Sequence, residues 1–424
     1  MKNNYRKTRL ANGLRIISRA MPGRQSVALG VWIRVGGRDE SLGNKGISHF
    51  LEHILFKGTR KYSCRRIKES IEGIGGSLNG FTSEESTCYL VKVPDRHLST
   101  GLNILSDMVL NPTLPSREIR KERTVILEEL KMYKDLPQSY VYELLDELLW
   151  PGQPLGRPII GTVESVNGIG RAKMREFKEG HYTAANIVVS ACGNLEDEKL
   201  ERAVKRIFSG LKREKANIFP VARENQNSPG LKVFHKETEQ THMALGFRGF
   251  KREHPLKHAL GLMHVILGGN MSSRLFNELR EKRGLAYEIG TAVKRFQDTG
   301  AFIVHAGIDN RKVNESIRLI LRELKKAKDG LVTEGEFKRA KEFYVGQLKL
   351  ALEDTLEYML WIGETTLMLD KAFALEEVIA EVNRVERADI REAARKIFRE
   401  ANLNLSLIGP LKETEAGIRR ELYL

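Results

Sequence analysis

Two histidines four residues apart, with a glutamate one place before the second, carry the most chemistry in this chain: His49-Phe50-Leu51-Glu52-His53. They stand inside a helix-forming run over residues 46–58. On a helix, positions i and i+4 share one face, so the two imidazoles can grip a single zinc ion. Glu52 sits beside that pair and can take a proton from a metal-bound water, which turns the water into a nucleophile. These residue types at this spacing point to metal-assisted hydrolysis.

H-x-x-E-H is the reversed form of the H-E-x-x-H signature, the inverzincin arrangement, and it makes a zinc-dependent peptidase the leading reading. Two histidines leave such a site incomplete, because a catalytic zinc usually has three protein ligands and an open position. The segment 118–130 offers carboxylates on another helix. Glu122 and Glu129 are seven apart and project from one helical face. Glu128 is rotated from Glu129 by about 100°. Spacing alone favours the Glu122/Glu129 face without choosing between the two.

These side chains need helices and strands to hold them. At 424 residues the chain exceeds one ordinary core, so two or more domains are expected. The chain reads as internally duplicated. Residues 13–17 followed by 26–33 resemble 230–234 followed by 241–247, and each set reads as two strands separated by a turn. The halves also close alike, with 186–193 resembling 402–409. Helices are expected near 116–133, 139–149, 314–328 and 333–352. The stretch 213–229, with Pro220, Asn225, Asn227, Ser228 and Pro229, reads as a linker between domains at 1–212 and 230–424. The fold class is α+β: two homologous halves, each a mainly antiparallel sheet with helices packed on one face. Aligned at the motif, His264 falls opposite His53, but Leu260 falls opposite His49 and Met263 opposite Glu52. Only the first half then holds metal.

The sequence resembles the pitrilysin-like zinc peptidases, especially the branch of mitochondrial processing peptidase and its bacterial relatives. The likeness runs over nearly the whole chain. In that family the motif is followed about 76 residues later by a ligand glutamate, and His53 plus 76 is Glu129. The flanking Glu122-Arg123-x-Val125-Ile126-x-x-Glu129 also fits. The resemblance implies one Zn2+ per chain held by His49, His53 and Glu129, with Glu52 as general base and Glu122 as a supporting acid. It implies that the glycine-rich run 75–85 leads an edge strand that pairs with the substrate backbone through Asn79, Gly80, Phe81 and Thr82. The family usually has Ala where Gly80 stands. Strand addition suits peptides, because main-chain hydrogen bonds read no side chain. Arg280 and Tyr287 match a family Arg and Tyr at the same seven-residue separation, which support the substrate carbonyl; such a pair can stabilise a developing oxyanion. Ala340 falls opposite Glu122 and Gln347 opposite Glu129, so the second half lacks the site. The resemblance further implies a clamshell of two halves around a chamber, unfolded peptides as substrates, and a homodimer or a heterodimer with a related chain.

Composition limits other functions. The net charge of +15 is spread over helix faces that mix acids and bases, such as 322–326 and 391–396. No basic stripe with a nucleic-acid reader motif is visible, so no nucleic-acid partner is expected. No apolar run approaches the roughly 18 residues of a membrane span, and no apolar stretch follows the basic start as a secretory signal would require. No membrane association is expected. Three widely spaced cysteines, Cys64, Cys88 and Cys192, form neither a disulfide framework nor a metal motif, which suits a reducing cytoplasm. The competing reading is a non-catalytic peptide-binding or scaffold subunit of a related heteromeric complex, and the intact metal set argues against it.

Overall fold

Two sheets organise the chain, and both follow the strand plan that the sequence repeat implies. The computed structural model describes residues 5–213, 219–411 and 415–423. The first sheet holds β1 (Arg6–Arg9), β2 (Arg15–Ala20), β3 (Ser26–Ile33), β4 (Ser77–Thr82), β5 (Thr87–Pro94) and β6 (Ile187–Gly193), in the order β1-β2-β6-β3-β5-β4. The second holds β7 (Gly230–His235), β8 (Gln240–Gly249), β9 (Ala286–Arg295), β10 (Gly300–Asp309) and β11 (Leu403–Gly409), in the order β7-β11-β8-β10-β9. Read from β2, the first order maps strand for strand onto the second. Even the exception repeats: β2 with β6 and β7 with β11 are parallel, and the other pairs are antiparallel. The fold is α+β with two homologous halves, as the sequence implies. Expected helices appear at Ser116–Asp135, Pro137–Leu149, Val313–Asp329 and Glu334–Ala351, with ends moved by a few residues.

The compact units are not the contiguous stretches 1–212 and 230–424. One unit comprises Met1–Leu130, Pro158–Pro220 and Lys349–Leu375; the other comprises Lys131–Arg157, Val221–Leu348 and Glu376–Leu424. Each sheet therefore carries a helix drawn from the other half of the sequence. The sequence marks Pro137–Leu149 as a helix with an apolar face and Thr355–Leu369 as one apolar on most sides, but it does not say which sheet covers them. Of the expected linker, 214–218 lie outside the described residues, and 219–229 form neither helix nor strand.

The exchanged helices add a second layer on the other sheet face. In β3, Val27, Leu29, Val31 and Ile33 point into a core shared with the Ile47–Leu55 and Leu98–Leu110 helices. The alternate residues, Gly30 and Trp32, meet the Thr355–Leu369 helix on the opposite face. Close approach there depends on small residues. A Cβ on Gly30 would lie 2.5 Å from Met359 Sδ, and one on Gly363 would lie 2.1 Å from Trp32 Nε1. Trp32 Nε1 donates to Ser190 Oγ at 2.9 Å, so the indole has little room to retreat. In the second unit, Leu145 of Pro137–Leu149 packs on Gly246, and Ser406 Oγ donates to the Val141 carbonyl at 2.8 Å.

Gly363→Ala tests this packing. Replacing a mid-helix glycine by alanine usually stabilises by up to about 1 kcal/mol. Here overpacking against Trp32 should reverse the sign and destabilise by roughly 1–3 kcal/mol. Gly346→Ala is the control, because a Cβ at that helical position meets nothing within 4 Å. Thermal unfolding should show Gly363→Ala melting below the wild type and Gly346→Ala at or above it.

Candidate metal centre

The H-x-x-E-H segment lies on the helix Ile47–Leu55, whose position is set by its apolar arc. Ile47, Phe50, Leu51, Ile54 and Leu55 are fully buried. His49, Glu52 and His53 occupy the remaining arc. The helix starts at Gly46, which adopts φ 85° and sits where a Cβ would come within 2.5 Å of the Ile160 carbonyl oxygen. Only glycine meets both demands without strain.

Gly46 has no side chain to cap the first turn, and a residue from an earlier turn does so instead. The Glu40 carboxylate accepts the amide of Gly46 at 2.7 Å and that of Ser48 at 2.8 Å, one with each oxygen. Glu40 is only 5% exposed, and burial pushes its carboxyl up to about 7 even though both amide bonds favour the charged form. The sequence reading missed this residue. An acid several residues before an uncapped helix start was the available signal.

The second element is the helix Ser116–Asp135. Ile119, Ile126 and Leu130 anchor it in the core; Glu122 is buried with them and Glu129 is partly exposed beside them. Glu128 points to solvent. One ligand atom each from His49, His53 and Glu129 lie within 4.8 Å of one another, and no other group of His, Cys, Asp and Glu among the described residues meets that test. Glu129 Oε2 is 3.8 Å from His49 Nε2 and 3.7 Å from His53 Nε2. Those gaps are too long for hydrogen bonds. They approach the roughly 3.4 Å between ligand atoms around a tetrahedral zinc with bonds near 2.1 Å. Two imidazole nitrogens and one carboxylate oxygen form a donor set that fits zinc.

Electrostatics fit the same use. Burial, and then the charge of His53, push His49 down to about 4, so its ring is neutral and its nitrogen lone pair is available near pH 7. Burial raises the carboxyls of Glu52 and Glu129 above the ordinary range. Glu122 reaches His53 instead: its Oε2 is 3.2 Å from Nδ1, on the far side of the ring from Glu129.

β4 runs along the sheet edge and, among the described residues, pairs only with β5. Its residues alternate between two faces. Thr82 Oγ1 donates to Glu52 Oε2 at 2.9 Å, and a Cβ on Gly80 would lie 3.3 Å from Glu52 Cγ. Phe81 meets the edge of Trp32 on the other face, with ring centroids 5.6 Å apart. The Asn79 side chain accepts the Gly80 amide at 2.8 Å. Glycine at position 80 thus leaves room for Glu52, which an alanine would narrow.

Arg280 and Tyr287 belong to the second unit. Arg280 lies in the π-helical turn Phe276–Glu281, and Tyr287 lies near the start of edge strand β9. The guanidinium sits 4.9 Å from the centre of the Tyr287 ring, and Tyr287 is 72% exposed. In that unit the helix Lys257–Leu267 takes the place of the motif helix. There His264 Nδ1 is 2.7 Å from Thr291 Oγ1, and burial pushes the ring down to about 4.

Residues 15–163 match the family model described as insulinase (peptidase family M16), and residues 168–344 match the one described as peptidase M16 inactive domain. An uncharacterized zinc protease of Streptomyces coelicolor is 36% identical over 418 residues, covering 97% of this chain and 91% of the relative. One of Bacillus subtilis is 37% identical over 399 residues, covering 94% and 97%. Two solved structures share the fold. A protease from Helicobacter pylori aligns with TM-score 0.88 at 22% identity, over 96% of this chain and 99% of that one. A peptidase M16 inactive domain from Pseudomonas fluorescens aligns with TM-score 0.89 at 19% identity, over 97% and 99%. The chain belongs to peptidase family M16. Among the described residues, no helix is long and apolar enough to cross a membrane.

The Glu40 cap generates a stability test. Glu40→Ala strands two buried amides at the start of the motif helix, which should destabilise by roughly 1–3 kcal/mol. Glu40→Gln keeps one carbonyl acceptor and should fall between wild type and alanine. Thermal unfolding of the metal-free protein reads both, and an unchanged Glu40→Ala midpoint would refute the cap.

Proposed function

We propose that the chain is a zinc-dependent endopeptidase acting on unfolded peptides. The carrying observation is the convergence of His49, His53 and Glu129, with Glu52 beside them on the same helix. The zinc protease names of the relatives support the same reading. Zinc held there would lower the pKa of a bound water to about 7 and polarise a peptide carbonyl.

The protein groups supply the rest. Glu52 takes the proton from water and returns it to the leaving amine. Thr82 holds one oxygen of that carboxylate, and the other has no hydrogen-bond partner among the described residues. Burial raises the Glu52 carboxyl above the ordinary range, the direction that favours returning a proton to the leaving amine. The unpaired edge of β4 can accept an extended peptide by main-chain hydrogen bonds through residues 79–82, which brings its backbone alongside Glu52. In this reading Arg280 and Tyr287 support the carbonyl oxygen as it gains charge. The alternative, a peptide-binding subunit without turnover, predicts no hydrolysis with the metal set full.

Metal analysis beside peptide turnover separates the roles. Glu52→Gln should keep one zinc and lose roughly 10²–10⁴ in rate, whereas Glu129→Ala should lose the zinc itself. A wild-type protein that holds zinc and cleaves no unstructured peptide would favour the binding-subunit reading. Tyr287→Phe and Arg280→Ala should leave zinc content unchanged and lower kcat/KM by about 10²–10³; wild-type kinetics from both would remove them from the mechanism.

A further inference from the structure

Lys57 stands two residues beyond the end of the motif helix, and its side chain turns toward the metal centre rather than to solvent. Its Nζ is 2.6 Å from Glu122 Oε1, and the two side chains are only 21% and 10% exposed. The other oxygen of the same carboxylate, Oε2, is the one 3.2 Å from His53 Nδ1. A single buried carboxylate is thus divided between one ammonium and one imidazole. We propose that Lys57 is a positioning residue of the metal centre: it holds Glu122 so that the proton of His53 stays on Nδ1 and Nε2 is left bare toward Glu129. The proposal rests on the zinc reading above and adds a residue to it.

Three observations carry it. First, the hydrogen-bond roles have one consistent solution. With Oε1 facing the Lys57 ammonium, the carboxylate acts as an acceptor at both oxygens, so Nδ1, which faces Oε2, is the donor. That fixes the tautomer with the lone pair on Nε2, the atom 3.7 Å from Glu129 Oε2. Second, the two ligand histidines differ. Nδ1 of His49 is buried without a hydrogen-bond partner among the described residues, so only His53 has its proton placed by a carboxylate. Third, Lys57 connects elements. Glu122 and Glu129 lie on one helix and His53 on the other, so the Lys57–Glu122 contact ties the C-terminal end of the motif helix to the helix that bears Glu129. An ammonium beyond a helix C-terminus also lies where the helix dipole favours positive charge. Such a contact on an open surface would add little. Here both partners are largely withdrawn from water, and the carboxylate has a second task.

The test is zinc affinity of the full chain, measured by competition with a chromogenic chelator. It compares wild type, Lys57→Met, Lys57→Arg, Glu122→Gln and the Lys57→Met/Glu122→Gln double variant. Methionine keeps the apolar stem and removes the charge. Lys57→Met should weaken zinc binding roughly 10-fold, the lower end of what losing an outer partner of a ligand histidine does. Lys57→Arg should recover most of that loss. The double variant should bind as Glu122→Gln does, because Lys57 acts only through Glu122. A merely structural lysine would lower the unfolding midpoint of the metal-free protein and leave zinc affinity alone. Wild-type affinity in Lys57→Met, or a full further loss on top of Glu122→Gln, overturns the proposal. A wild-type chain that binds no zinc overturns the zinc reading itself, which is a distinguishable result. If Lys57→Met does not fold, Lys57→Gln carries the same comparison.

Discussion

A nine-residue helix clamped on its apolar face governs the metal centre. Ile47–Leu55 places five side chains in the core with no exposure, so it cannot turn about its axis without pulling them out. A rotation by one residue, about 100°, would bury the imidazoles in their place. The same packing withdraws the polar arc from water. Burial is the largest cause of both shifts, pushing His49 down, with the charge of His53 adding to it, and Glu52 up. The helix start is held by Glu40 and its end by Lys57, neither of them a metal ligand in our reading.

The second unit shows what the fold does without that chemistry. Its strand order repeats the first, and its helix Lys257–Leu267 fills the same place in the topology. Leu260 and Met263, which the sequence alignment sets opposite His49 and Glu52, are both buried. His264 on this helix is satisfied by Thr291 rather than by a second imidazole and a carboxylate. Replacing polar ligands by apolar residues removes the cost of burying them. The same strand plan is therefore compatible with an apolar residue at a position that carries a ligand in the other half.

The exchanged helices bind the two halves of the sequence into a shared construction. Each sheet buries one face against helices of its own half and part of the other face against a helix from the opposite half. Glycines at 30, 246 and 363 permit that approach. A cut of the chain between 212 and 230 would leave each sheet without one of its covering helices, so sequence halves and folding units do not coincide.

Much of this was legible in the residues. The i, i+4 histidines, the helix around them and the strand repeat are local patterns, and a single chain displays them because they arise from backbone periodicity. Spacing narrowed the third carboxylate to the face shared by Glu122 and Glu129, and the family likeness pointed to Glu129. What the sequence by itself did not determine depends on distances between residues far apart in the chain. Only tertiary packing brings Glu129 toward both Nε2 atoms and Glu122 to Nδ1, sets Thr82 on Glu52 and Lys57 on Glu122, and sends Pro137–Leu149 and Thr355–Leu369 to the other half's sheets. Periodicity tells a helix which face to bury; the complementary surface that buries it is known only when the chain is folded.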